Sequence, residues 1–192
     1  MKRLALVVLL TLISVFSMLT SFAQIGRGNS ELEQRVAITA TARSVEGAPY
    51  KFNGTTPDGF DSTGFIVYVY YKNKISLPQK LDELFRLGEN VAPKDAKPGD
   101  ILFFANVDDP ERKYVGHAGV YLGKGAFIHM PAENAIIRVD HIKKGNKWAK
   151  LFIAARTYSG LFPIKSSAEE EMPAESDAPV NSGGYEESEY TQ

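Results

Sequence analysis

The chain has 192 residues, 44% of them apolar, which suits one domain of ordinary size with extensions. Its net charge of −1 conceals an uneven distribution: residues 161–192 hold eight acids against one base, Lys2 and Arg3 are basic, and residues 24–160 carry +4. A charge that small and unclustered argues against nucleic-acid binding, and the absence of cysteine excludes disulfides, thiolate metal sites and a thiol nucleophile.

In chain order, basic Met1-Lys2-Arg3 precedes an apolar stretch from Leu4 to about Leu19, and small residues follow at Ser21 and Ala23. This is the pattern of a signal peptide, residues 1–23, with cleavage expected after Ala23. The alternative is an uncleaved anchor, because Leu4 to Ala23 is long enough to span a bilayer. Either reading places the remainder outside the cytoplasm, periplasmic or extracellular.

Ser30-Glu31-Leu32-Glu33 fits a capping box, and Leu32, Val36 and Ala40 recur at helical spacing, so a helix is predicted over 31–44. Residues 53–59 are dense in turn formers and read as a loop. Phe65 to Tyr71 is so rich in β-branched and aromatic residues that propensity alone makes it a strand. Pro78 suits the first position of a helix ending near Leu87, with Gly88 just beyond. From Gly99 the pattern changes to apolar runs at 101–104, 117–122, 126–129, 135–139 and 151–156, which predicts an antiparallel meander of about five strands. Helices followed by strands define an α+β class, one domain over 24–160 and expected to be a monomer. Residues 161–192 form an acidic tail whose Ser, Glu, Pro and Gly content predicts disorder from 165 onward.

Two of the three histidines flank the tight turn at Gly123-Lys124-Gly125. If Leu122 pairs with Ala126, His129 faces Gly119 and His117 faces Pro131, so both imidazoles lie on one sheet face at a diagonal of roughly 7–8 Å. A slip of one residue would separate them to opposite faces. The competing reading is a pair of partly buried structural histidines. His141, beside Lys143 and Lys144, reads as solvent-facing and has no reason to approach the other two, so no metal site and no cofactor is expected. Trp148, with Leu151 and Phe152, reads as core.

Ala48-Pro-Tyr-Lys-Phe-Asn-Gly54, Gly59-Phe-Asp-Ser-Thr-Gly-Phe65, Lys97-Pro-Gly-Asp-Ile-Leu-Phe-Phe104, Gly116-His-Ala-Gly-Val-Tyr-Leu-Gly123 and Phe127-Ile-His129 occur in this order. Together they resemble the NlpC family of papain-like peptidoglycan peptidases over about residues 31–158. The resemblance implies a wall-associated amide hydrolase fold acting on stem peptides. It places the nucleophile at Ser62, the general base at His117 and the residue orienting that base at His129. It also implies that Ser62 begins a buried helix, which overrides the strand predicted for 65–71. Tyr50 matches a tyrosine that the family sets beside the nucleophile, and the expected substrate-binding positions are Tyr50 and, flanking Ser62, Asp61 and Thr63. Asn53 departs from a glycine usual in that loop.

Family members carry cysteine where this chain has Ser62. A thiol's pKa of about 8.5 is low enough for a thiolate–imidazolium pair to form, whereas a serine hydroxyl needs a base aligned to take its proton during attack. The expectation is a noncatalytic domain that binds wall stem peptides or a wall enzyme it regulates. The alternative is a slow serine-type amide hydrolase.

Overall fold

A computed structural model describes residues 30–158, apart from 108, 110, 112 and 133. The expected signal peptide and acidic tail lie outside the described residues. Among those described, no helix is long and apolar enough to cross a membrane.

Helix α1 occupies residues 30–44. Ser30 is itself helical. The face predicted to be apolar is the exposed one, with Leu32 at 63% and Val36 at 59% exposure. The buried face is Arg35, Ile38 and Ala42, continued by Val45 in the turn that follows. Spacing was a poor guide because an arginine occupies an inward position. Arg35 donates to Asp100 Oδ1 at 2.7 Å, to Thr157 Oγ1 at 2.9 Å and to Glu31 Oε1 at 2.9 Å. With Asp100 only 1% exposed, this cluster ties α1 to the turn before the first long strand and to the end of the last. A buried charge is tolerable when it is paired and hydrogen-bonded in this way.

The loop after α1 contains a small hairpin, β1 (Thr55–Thr56) with β2 (Gly59–Phe60), inside the stretch expected to be irregular. Helix α2 follows at Ser62–Lys72. Its β-favouring residues cost only tenths of a kcal/mol each as helix, whereas burying Phe65, Ile66, Val69 and Tyr70 contributes about 1.5–3 kcal/mol apiece. A helix apolar on nearly all sides belongs in a core, and this one sits there. Helix α3 spans Leu81–Leu87, three residues later than Pro78 suggests, and Lys80 is its N-cap.

The sheet has six strands: β3 (Glu89–Val91), β4 (Ile101–Ala105), β5 (Val115–Gly123), β6 (Ala126–His129), β7 (Arg138–His141) and β8 (Phe152–Thr157). Their order, β3-β8-β4-β5-β6-β7, is an antiparallel meander from β4 to β7, with β8 returning to lie between β4 and β3. Strand β3 was not foreseen, and β7 begins later than the apolar run at 135–139. Ala135 and Ile137 make isolated hydrogen bonds with residues 47–50 instead. Central β4 is buried throughout. Its Ile101 and Phe103 join the larger core under the helices, while Leu102 and Phe104 join a second cluster with Phe127, Trp148 and Ala155. Trp148 belongs to α4 (Lys147–Leu151), which Asn146 caps by accepting from Ala149 N at 3.0 Å. The architecture is α+β, helices packed on an antiparallel sheet.

Candidate active site

Ser62 is the first residue of α2, and its neighbours explain why it is held there. Asp61 is the N-cap, its Oδ1 accepting from Gly64 N at 2.6 Å. The loop backbone packs directly on this turn: Asp61 N donates to Gly54 O at 3.0 Å, and a Cβ on Gly64 would lie 2.1 Å from Gly54 O. Only glycine permits that approach. The Gly-Phe-Asp-Ser-Thr-Gly block thus works as a fitted corner, with Ser62 at the positive end of the α2 dipole. Tyr50 bridges Phe60 on the adjoining segment, two residues before the serine. Thr63 follows as a half-buried helical residue. Asp61, expected to bind substrate, spends one carboxylate oxygen on the cap. Asn53 adopts a left-handed backbone, φ 54°, a conformation natural for glycine and tolerated by asparagine.

The β5–β6 register pairs Val120 with Ile128 and Tyr121 with Phe127, as the turn predicts. A bulge at the turn then pairs Gly123, rather than Leu122, with Ala126. The histidines consequently share a face. Gly119 lies so close that an added Cβ would sit 3.0 Å from His129 Cβ and 2.8 Å from the Phe127 ring. His117 Nδ1 is 3.2 Å from Ser62 Oγ, and His117 Nε2 is 2.6 Å from His129 Nδ1.

The chain of contacts does not stop at His129. His129 Nε2 lies 3.2 Å from Asp140 Oδ2, and that same oxygen accepts from Trp148 Nε1 at 3.1 Å and Arg138 Nη2 at 3.3 Å. Neither Asp140 nor Trp148 was singled out for the site from sequence. Asp140 stands on β7 beyond an irregular connection, so no hairpin arithmetic reaches it. Trp148 was assigned to the core, and it is indeed 6% exposed, but its ring also stacks on His117 (centroids 5.4 Å apart, 28° between planes) and meets His129 edge-on at 4.9 Å.

Those aromatic walls govern protonation. Burial lowers the His117 pKa from 6.5 to about 3, helped by neighbouring His129 and Lys147. Burial also lowers that of His129 to about 4, with Asp140 pulling the other way. For Asp140, burial works to raise the pKa, but the His129 and Arg138 hydrogen bonds prevail and hold it below the ordinary carboxylate value. At neutral pH the row is therefore hydroxyl, neutral imidazole, neutral imidazole, carboxylate. His141 is exposed and outside this row. No group of three or more potential ligands able to hold a metal occurs among the described residues.

A hydroxyl at a half-buried helix start thus faces a two-histidine row on an antiparallel sheet. The family model of the NlpC/P60 family matches residues 47–157, and the chain belongs to that family. It is 35% identical over 120 residues to the Gamma-DL-glutamyl hydrolase of Bacillus subtilis, a match covering 62% of this chain and 29% of that protein. The NlpC/p60 domain of the peptidoglycan hydrolase SagA superposes with a TM-score of 0.55 at 27% identity, covering 64% of this chain and 97% of that domain. RipD of Mycobacterium tuberculosis, a non-catalytic NlpC/p60 domain protein adapted to peptidoglycan binding, shares the fold at 22% identity and a TM-score of 0.50, over 65% of this chain and 96% of that one. The chain spans less than half the length of the curated relatives it matches.

Proposed function

We propose that this is an exported, wall-facing protein whose NlpC/P60 domain binds peptidoglycan stem peptides, or a wall enzyme it regulates, without hydrolysing them. The observation that carries this reading is an oxygen nucleophile set against a weak base. Ser62 Oγ faces His117 Nδ1, and His117 is held at a pKa of about 3. A thiolate at position 62 would raise the basicity of His117, because an opposite charge within hydrogen-bond reach favours the imidazolium. A neutral hydroxyl supplies no such charge, and its own proton is far harder to remove than a thiol's. A family fold does not by itself imply turnover, since activity resides in the site. Export rests on the basic and then apolar N-terminus, and wall binding on the stem-peptide chemistry of the family.

The second reading, a slow serine-type amide hydrolase, is favoured by the 3.2 Å contact between Ser62 Oγ and His117 Nδ1. Mass-spectrometric detection of muropeptide cleavage separates the two, using the purified protein beside Ser62→Ala and Ser62→Cys variants, with stem-peptide binding measured in parallel. The expected result is an inert native protein that binds the peptide and a Ser62→Cys variant that cleaves it. Native cleavage abolished by Ser62→Ala would establish the serine hydrolase instead. Absence of both peptide binding and Ser62→Cys cleavage would remove the wall-peptide reading.

A further inference from the structure

The hydrogen-bond row that ends at Asp140 has a direction, and its far end determines that direction. Asp140 Oδ2 receives an indole N–H from Trp148 and a guanidinium N–H from Arg138, groups that only donate. The oxygen is thus an acceptor, and the His129 nitrogen facing it at 3.2 Å, Nε2, must carry the proton. A neutral imidazole has one N–H, so His129 Nδ1 is bare and accepts. Among the described residues its hydrogen-bond partner is His117 Nε2, at 2.6 Å. That consumes the single proton of neutral His117 and leaves its Nδ1 lone pair pointing at Ser62 Oγ.

We propose that Asp140 is a positioning residue of this site: its carboxylate sets the tautomers of both histidines, so that His117 offers residue 62 a proton acceptor. This rests on the reading that residue 62 and His117 are the nucleophile and base positions. The same polarity serves the imidazolium that would form on proton uptake. His117 then carries N–H on both nitrogens, Nε2–H still meets a bare His129 Nδ1, and His129 still donates to Asp140. With the row reversed, His129 would present Nδ1–H to His117 Nε2, so protonating the base would set two N–H groups against each other. Trp148 and Arg138 have a part in this, because by occupying Asp140 they keep it ionised and fixed. Asp140 is 24% exposed and borders an open depression lined by His141, Lys143, Asn146, Lys147 and Trp148. Substitution there buries no void in the core.

Asp140→Asn reverses the logic without removing the side chain, since an amide NH2 can donate to His129 Nε2. Long-range 1H–15N NMR of the imidazoles at pH 7 reads the tautomers directly. The native protein is expected to show Nε2–H on both His117 and His129, and Asp140→Asn to shift both toward Nδ1–H. In the Ser62→Cys background, Asp140→Asn is expected to lower muropeptide cleavage about 10- to 100-fold, mainly in kcat, as loss of a group that orients a reactive imidazole does. Nδ1–H tautomers in the native protein, or tautomers unchanged by Asp140→Asn, would overturn the proposal. The native measurement stands even if the variant folds poorly. The two readings fail separately: if Ser62→Cys neither cleaves nor binds muropeptides, the wall-peptide reading falls, while the NMR result still decides what Asp140 does.

Discussion

Acid should destabilise this domain before most of its carboxylates are titrated, and the two relay histidines set the window. In the unfolded chain an imidazole protonates near 6.5, whereas the native site holds His117 to about 3 and His129 to about 4. Between these values the unfolded state binds more protons than the native one, so stability falls as pH falls. Each histidine contributes up to about 1.4 kcal/mol per pH unit. Integrated from pH 6.5 to 4.5, the pair amounts to roughly 4 kcal/mol. That is a large share of the 5–15 kcal/mol typical of a whole domain. Urea titrations followed by far-UV circular dichroism at half-unit steps should show the slope directly, and His117→Gln should about halve it whatever the substitution does to stability at pH 7. Stability that stays flat down to pH 4.5 would refute the reasoning, for it would mean the native relay already carries positive charge.

Other perturbations test the frame that holds the site. Asp100→Ala leaves the Arg35 guanidinium buried without its main partner and should cost about 3–5 kcal/mol, read as a lowered denaturation midpoint. Gly64→Ala forces a Cβ to within 2.1 Å of Gly54 O, a backbone atom that cannot swing aside. It should destabilise by at least about 1–3 kcal/mol, seen as a drop in Tm.

The α+β class and the meander were legible because β4, β5 and β6 follow their apolar runs and the glycine-flanked turn fixes the register. That register placed His117 and His129 on one face despite the bulge that shifts Leu122 out of pairing. The inward face of α1 was not legible. Spacing nominated Leu32 and Val36, but the ion pair between Arg35 and Asp100 turns Arg35 inward, and partners 65 residues apart leave no local trace. Helix α2 defeats propensity for a similar reason, since Val67, Val69 and their neighbours are helical because the core surrounds them. Asp140 was hidden by the irregular connection from Met130 to Ile137, whose backbone bonds to the 47–50 segment rather than extending the β6 ladder.

The relay also bears on what the cleft is for. A position needing only packing between Phe104, Phe127 and Trp148 is best filled by apolar side chains, which match the walls and carry no desolvation penalty. Instead two imidazoles sit there, kept neutral against their ordinary basicity, at the cost of stability in acid derived above. The fitted corner at Gly54, Asp61 and Gly64 presents residue 62 to them, and Trp148 and Arg138 fix the carboxylate behind them. Such an arrangement is disadvantageous as mere core and useful as a polar surface aimed at a ligand. That asymmetry supports the proposal that the cleft engages an amide-bearing peptide, in which case the oxygen or sulfur at residue 62 would separate binding from cleavage.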